Sequence, residues 1–503
     1  MALETLAAVF TVENLTVIFL ATLYGSFVGA MPGLTATMAV ALLVPFTFFM
    51  DPIPAVSAII ATTTTAIFAG DIAGALLRMP GTPASAAYVD DSFTLARQGA
   101  ARRVLFISLI TATIGGIVGV LILMASAPQL ARFAVGFSFF EKFWLAALGL
   151  TCAIFAGTGS VAKNFASLFI GLFIASIGID VAAGHPRFTF GNVELLDGVS
   201  FIPAMIGLFA MSEVLRNARA GNVARDFSMV LDRVGEALGS AWRTILGLPR
   251  VIAQSSILGT LIGALPGAGA DVAAWIAYTV AKKSSKRPQE YGKGSVEGIA
   301  AGGSANNAGV AGAWTPALVF GIPGDSVTAI AIGVLLMKGL TPGPQIFTND
   351  PTLVGALFGS FLVANVVMLF TGSLAILLAT LILKVPRTVL MPLVLLASLV
   401  GAYAISGSPM AIWIVLVLGI VGFFMEENGI PMAPAILGIV LGSVLESNFM
   451  MSMMRAQGDL MMFFDRPVSM VLGVLTVTLW AFLIVRALYQ LARPARPATA
   501  PQP

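Results

Sequence analysis

Residues 24–48 read YGSFVGAMPGLTATMAVALLVPFTF, and residues 258–278 read LGTLIGALPGAGADVAAWIAY. Both carry the pattern Gly-x3-Gly-x2-Pro-Gly, first at Gly25, Gly29, Pro32 and Gly33, then 234 positions later at Gly259, Gly263, Pro266 and Gly267. Small residues four apart let helices approach closely in lipid, whereas the following Pro-Gly removes a backbone donor and breaks the helix. A helix broken inside a bilayer leaves backbone groups free, which is tolerated only against protein or a wet cavity. Each stretch therefore predicts an interrupted membrane helix and a candidate solute or ion site.

Composition sets the solvent. Hydrophobic residues are 58% of the 503, charged residues 10%, and mean hydropathy is +0.96, against roughly 25% charged in soluble domains. Apolar runs recur along most of the length, which predicts an all-α integral membrane protein with about 11–14 transmembrane helices or half-helices. A membrane barrel would alternate polar and apolar residues, but 115–124 and 413–424 are continuously apolar. The net charge of +3 and pI near 9.1 need no nucleic acid, because Lys and Arg gather in short connectors and the C-terminal tail, as the positive-inside rule requires. A single cysteine, Cys152, and a single histidine, His185, exclude a disulfide, a thiolate cluster and a bis-histidine haem. No Lys or Arg precedes Arg78, so the first apolar stretch reads as a retained span, not a cleaved signal.

A second element follows each motif. GALLRMPGTPA (74–84) and AGAWTPALVFGIPGDS (311–326) align on Pro80-Gly81 and Pro323-Gly324 at a shift of 243, nine more than before. The surplus fits an insertion in the basic connector 282–293. The runs ending at Gly159-Ser160 and Gly407-Ser408 also correspond, and Ser167–Asp180 loosely resembles Pro434–Glu446. The expected division is a first membrane repeat at 1–215, a basic cytoplasmic linker at 216–250, a second repeat at 251–490 and a disordered cytoplasmic tail at 491–503. The linker carries Arg216, Arg219, Arg225, Arg233, Arg243 and Arg250 and reads as an amphipathic connector. Equivalent connectors differ in charge: Phe49-Met50-Asp51-Pro52 has no basic residue, while its counterpart holds Lys282, Lys283, Lys286, Arg287 and Lys293. Past the second element the bias reverses, with Arg97, Arg102 and Arg103 set against Lys338 alone. This predicts inverted-topology repeats, an arrangement that places substrate near the midplane in secondary transporters.

The candidate chemistry lies at the breaks. Helices starting after Pro-Gly expose N–H groups and the positive end of their dipole, which suits a carboxylate. The substrate-binding candidates are Pro32, Gly33, Thr35, Thr37, Pro80, Gly81, Thr82, Ser85, Pro266, Gly267, Asn306, Asn307, Pro323 and Gly324. Asp71, Asp271, Asp325 and Thr328 are the cation-coupling candidates, since an anion at lipid depth needs a compensating charge. Plainer readings stand beside these. Asp71 and Asp325 could be helix N-caps, Asn306 and Asn307 interhelical hydrogen bonds, Arg78 a snorkelling side chain, Thr62–Thr65 back-bonded hydroxyls and the methionines from Met450 to Met462 packing surface. No zincin, hydrolase-elbow or P-loop pattern occurs, so neither catalysis nor ATP hydrolysis is expected of this chain, and no cofactor beyond Na+ or H+ as coupling ion.

Together with GGSANNAGVAGAWTPALVFGIPGDS (302–326) and LLRMPGTPASAA (76–87), the two opening stretches resemble the large membrane subunit of tripartite tricarboxylate transporters, the TctA family, over about 24–485. The resemblance implies a bacterial inner-membrane location and a translocation path for citrate or another organic carboxylate. It also implies a small four-helix membrane subunit and a periplasmic solute-binding protein as partners, and symport driven by an ion gradient. A channel and a non-transporting membrane enzyme or assembly subunit are the competing classes.

Overall fold

The computed structural model describes residues 7–156, 160–180, 184–220, 232–383, 385 and 387–492. Gly159, Arg225 and the expected tail from 493 onward lie outside them. Apart from a two-stranded antiparallel hairpin, Gly178–Ile179 with Pro186–Arg187, the regular elements among these residues are helical. Seven helices are long and apolar enough to cross a membrane, or up to eight if one bent pair is counted, and four shorter apolar helices accompany them. The chain is an all-α multi-pass membrane protein.

Each opening motif sits between two helices. In the first copy α1 (Val12–Ala30) ends before Pro32-Gly33 and α2 (Ala36–Thr47) begins after it, its first turn capped by the Thr35 hydroxyl, which accepts from Met38 N at 3.2 Å. Next comes α3 (Pro52–Leu77), then α4 (Ala101–Ala134), α5 (Phe139–Ala156) and α6 (Val161–Ala175). The first half closes with α7 (Phe201–Ile206), which continues through a π-helical turn at Gly207–Met211. An amphipathic helix, α8 (Val234–Leu246), leads to the second copy, where α9 (Pro249–Gly263) and α10 (Gly269–Ser284) flank Pro266-Gly267. There follow α11 (Val296–Phe320), α12 (Ser326–Met337), α13 (Pro351–Leu377), α14 (Arg387–Ser406), α15 (Met410–Glu427), α16 (Met432–Arg455) and α17 (Pro467–Ala492).

The first two glycines of each motif are packing residues. A Cβ on Gly25 or Gly29 would drive into the backbone of Thr62 or Ala66 on α3; one on Gly259 or Gly263 would do the same to Ala305 or Gly309 on α11. The partners are offset by 243, the motifs by 234, so the two sequence registers meet in one repeated helix crossing. Contacts advance together along α1 and α3, so these helices run in the same direction and α2 doubles back; α9, α11 and α10 repeat the arrangement.

The second elements match bond for bond. Arg78 (φ 57°) and Gly321 (φ 67°) end α3 and α11 in the left-handed region. Arg78 N donates to Gly74 O at 3.0 Å and Gly321 N to Ala317 O at 3.2 Å; Met79 N donates to Ala73 O at 3.4 Å and Ile322 N to Pro316 O at 3.2 Å. The chain then folds back so that Gly81 lies on Gly70 and Gly324 on Ala313. Arg78 carries this cap with its backbone and pairs at the surface with Asp90 at 2.8 Å.

One correspondence is corrected, because α6, aligned on Ser160, answers to α15, aligned on Ser408, and not to α16. Ser167–Asp180 and Pro434–Glu446 pack against each other: Ser167 Oγ donates to Pro431 O at 2.5 Å and accepts from Ala435 N at 3.0 Å. The contacts instead pair PAMIG (203–207) with PAILG (434–438). A side chain on Gly207 would press on Val415 O of α15, and one on Gly438 on Leu168 O of α6, so each copy's closing helix packs on the other copy.

The connectors gather in two groups. Asp91, fully buried, accepts from the backbone N–H groups of Gly292 (2.7 Å), Gly294 (2.8 Å) and Ser295 (2.8 Å) and from Tyr278 OH (2.8 Å). This joins the Arg97–Arg103 region to the Lys282–Lys293 connector. Lys338 Nζ donates to Phe48 O (2.7 Å) and Met50 O (2.5 Å), joining the two charge-poor connectors.

Candidate functional site

The fold-backs bring the starts of α2 and α10 to the start of α12, and the start of α10 also to the turn at 82–85. Thr37 Oγ1 on α2 lies 2.9 Å from Ser326 Oγ on α12. Asp271 on α10 accepts from Ala84 N at 3.2 Å, and Trp275 Nε1 donates to Pro83 O at 3.1 Å. Gly269 leaves room for Asp325, whose Cβ would stand 2.7 Å from an added Cβ there. These contacts are reciprocal. Thr37 and Asp271 are equivalent under the 234 shift, Pro83 and Ser326 under the 243 shift, so each copy's first break touches the other copy's second break. The equivalent residues Thr64 and Asn307 likewise meet where α3 and α11 cross, with Asn307 Nδ2 donating to Thr64 O at 3.2 Å.

Both second elements are closed by a reciprocal capping box. Ser85 N donates to Thr82 Oγ1 (3.1 Å) and Thr82 N to Ser85 Oγ (3.2 Å); Thr328 N donates to Asp325 Oδ1 (2.8 Å) and Asp325 N to Thr328 Oγ1 (2.9 Å). Asp325 is thus an N-cap, as the plainer reading had it, and Thr328 is its partner. Asp71 is not one. It lies inside α3, 4% exposed, accepting from Tyr88 OH at 2.8 and 3.0 Å and from Ser108 Oγ, because a carboxylate kept from water must be hydrogen-bonded. Asp271 is exposed and Asp325 half-buried.

The candidates therefore separate. Thr35, Thr37, Thr82, Ser85, Asp271, Asp325 and Thr328 stand at the convergent starts, with Pro32-Gly33, Pro80-Gly81, Pro266-Gly267 and Pro323-Gly324 forming the turns that deliver them. Asn306 and Asn307 lie within α11, 1% and 2% exposed, their Oδ1 atoms unpaired among the described residues. The hydroxyls of Thr63, Thr64 and Thr65 back-bond to Ile59, Ile60 and Ala61. Sequence reasoning missed Tyr88 and Ser108 as partners of Asp71, and Ser326 as partner of Thr37. No spacing in the sequence marked Ser326, because the contact joins residues 289 positions apart.

A cavity of about 600 Å³ lies away from the breaks, lined by Ile332, Gly333 and Met337 of α12, Phe201 of α7 and Ile439 of α16. On its wall Arg187 grips Glu446 through two bonds of 2.6 and 2.9 Å. From Ser326 to Ile332 is six residues, about 9 Å of helix, so α12 spans from the convergent starts to this vestibule, whose Met337 end adjoins the charge-poor connectors.

Residues 15–437 match the model of the tripartite tricarboxylate transporter TctA family. The chain belongs to that family. Among curated proteins, this TctA-family chain is 32% identical over 464 residues to an uncharacterized 52.8 kDa protein of the TAR-I ttuC' 3' region of Agrobacterium vitis, covering 91% of each. It is 34% identical over 211 residues to an uncharacterized protein of the TAR-II ttuC' 3' region of the same organism, covering 42% of this chain and 87% of that one. No solved structure matches.

Proposed function

We propose that this TctA-family chain is the translocating subunit of a secondary transporter that imports a tricarboxylate or related organic carboxylate with Na+ or H+. The observation that carries the reading is the meeting of α2, α10 and α12 by their N-termini, because free N–H groups and dipole ends attract an anion without a buried lysine or arginine. Asp271 and Asp325 stand in the same place and would repel that anion, so a cation or proton must accompany it. That requirement is the physical content of symport here.

Inverted topology belongs to the same proposal. It is supported by the start of α3 at the charge-poor connectors and of its counterpart α11 at the charge-rich ones, which the positive-inside rule assigns to the cytoplasm. The motif-bearing helices would move against the remainder, with the vestibule as the outward opening. The setting is the bacterial inner membrane, with a small four-helix subunit and a periplasmic binding protein completing the assembly. In proteoliposomes holding all three components, labelled citrate should accumulate under an imposed Na+ or proton gradient. Uptake indifferent to both gradients refutes coupling, and unitary currents in a planar bilayer would identify a channel.

A further inference from the structure

We infer that the elbow between α8 and α9 is a binding site for anionic phospholipid headgroups. The two helices meet at 79°, so with α9 running into the bilayer, α8 lies nearly along its surface. Its placement at the basic end is fixed by Arg103, whose guanidinium donates to Thr244 Oγ1 at 3.2 Å, and by Asp232, which accepts from Arg102 N and Arg103 N at 2.7 and 3.1 Å.

The surface of α8 divides into three strips. Ala237, Ala241 and Ile245 are buried. At 3.6 residues per turn, Val234, Leu238, Trp242 and Leu246 form an adjoining apolar strip that is 36%, 44%, 52% and 63% exposed. The third strip is polar and carries Glu236, Ser240 and Arg243. A helix wholly in water would not display the second strip, and one docked in the core would cover it. On α9 the exposed Ile257 and Leu261, with Leu265 just past its end, form the face turned toward lipid, and Arg250 tops that face two turns before Ile257. The apolar surface thus continues around the elbow, with Trp242 at the depth where aromatic belts form.

Charge selects the lipid. Arg233 lies 3.9 Å from Glu236 and is offset by it, whereas Arg243 and Arg250 make no ion pair among the described residues. Both are exposed at headgroup level on either side of the bend. Two guanidiniums without a carboxylate partner among the described residues, Arg243 donating only through Nε to Gly239 O at 3.3 Å, stand above an apolar strip and fit the phosphates of an anionic lipid such as phosphatidylglycerol. The inference rests on membrane location and on the basic end facing the cytoplasm, not on what is carried, so failure of uptake would leave it standing.

The test uses the purified full chain in bilayers of phosphatidylcholine alone or of equal parts phosphatidylcholine and phosphatidylglycerol, with lipids retained after detergent extraction counted by native mass spectrometry. Phosphatidylglycerol should be enriched, and Arg243→Gln and Arg250→Gln should each reduce the enrichment about fivefold. Both replace exposed side chains, and gel-filtration elution checks that the fold persists. Equal retention of the two lipids, or enrichment unchanged in the double variant, overturns the site. Brominated phosphatidylcholine supplies an independent arm, since the fluorescence lost between the native chain and Trp242→Phe should be quenched strongly. Absence of that quenching, in the chain alone or with whatever co-purifies from its own membrane, would mean water or a protein covers the strip and would equally overturn the assignment.

Discussion

The two breaks share one backbone and differ in charge. Thr37 and Thr82 in the first copy occupy the positions of Asp271 and Asp325 in the second, and the cap that Thr82 forms with Ser85 is the cap that Asp325 forms with Thr328. Geometry was thus retained while chemistry diverged. Both copies supply helix dipoles and capped turns, and only the second supplies carboxylates at the meeting point. On the proposed function, an anion would be served by features common to both halves and the coupling ion by the second alone.

The largest effect should come from attacking what the copies share. Gly29→Leu and Gly263→Leu each place four carbons against backbone, on Ala66 and Gly309, where no flexible side chain can yield. Each should cost at least the roughly 3 kcal/mol at the upper end of overpacking and abolish a monodisperse peak in fluorescence-detected gel filtration. A tolerated leucine at one site alone would show that the helix crossings are not equivalent.

Next come the residues that differ. Asp271→Asn should weaken the apparent affinity for the coupling ion ten- to a hundredfold, the scale of about 1.5–3 kcal/mol for a lost charged contact, while Thr37→Val at the equivalent position should leave it nearly unchanged. Asp325→Thr installs the first copy's residue, preserving an N-cap at a cost of about 0.5 kcal/mol or less while removing the charge. Ion dependence of uptake measured beside thermal stability separates the two roles. Loss of stability with ion dependence intact would reduce Asp325 to a cap.

The sequence made the breaks legible because proline, glycine and close-packing glycines have few substitutes at such positions. It did not disclose the left-handed turn at Arg78, since nothing in an arginine marks that conformation and only its counterpart Gly321 is suggestive. The destination of Asp71 was equally hidden. Its partners lie 17 and 37 residues away and come from a turn and a different helix, so no spacing within α3 could reveal them. The loose likeness of Ser167–Asp180 to Pro434–Glu446 misled because packed apolar helices share composition. The shorter PAMIG and PAILG match was decisive only once Gly207 and Gly438 were seen in equivalent seats.

A subtler probe lies in the cross-copy contacts. The hydroxyls of Thr37 and Ser326 exchange a single hydrogen bond of 2.9 Å, worth about 1 kcal/mol net. Thr37→Val and Ser326→Ala should each slow uptake modestly, and the double variant should be no worse than the poorer single one. Full additivity in that cycle would show that the bond is absent in the functioning protein.

The smallest expected effect lies outside both breaks, at the vestibule wall. Arg187 and Glu446 form a bidentate pair with side chains 31% and 27% exposed, so solvent screens much of the attraction even though the fork geometry is favourable. Arg187→Gln should cost about 1 kcal/mol or less in thermal stability, with the difference shrinking as salt is raised. Exchanging the charges, Arg187→Glu with Glu446→Arg, should recover most of that loss if the pair only fastens the hairpin to α16. Should stability recover while carboxylate uptake stays depressed, the sign of the charge on the hairpin itself matters to the passing anion, and the vestibule would join the helix starts as part of its route.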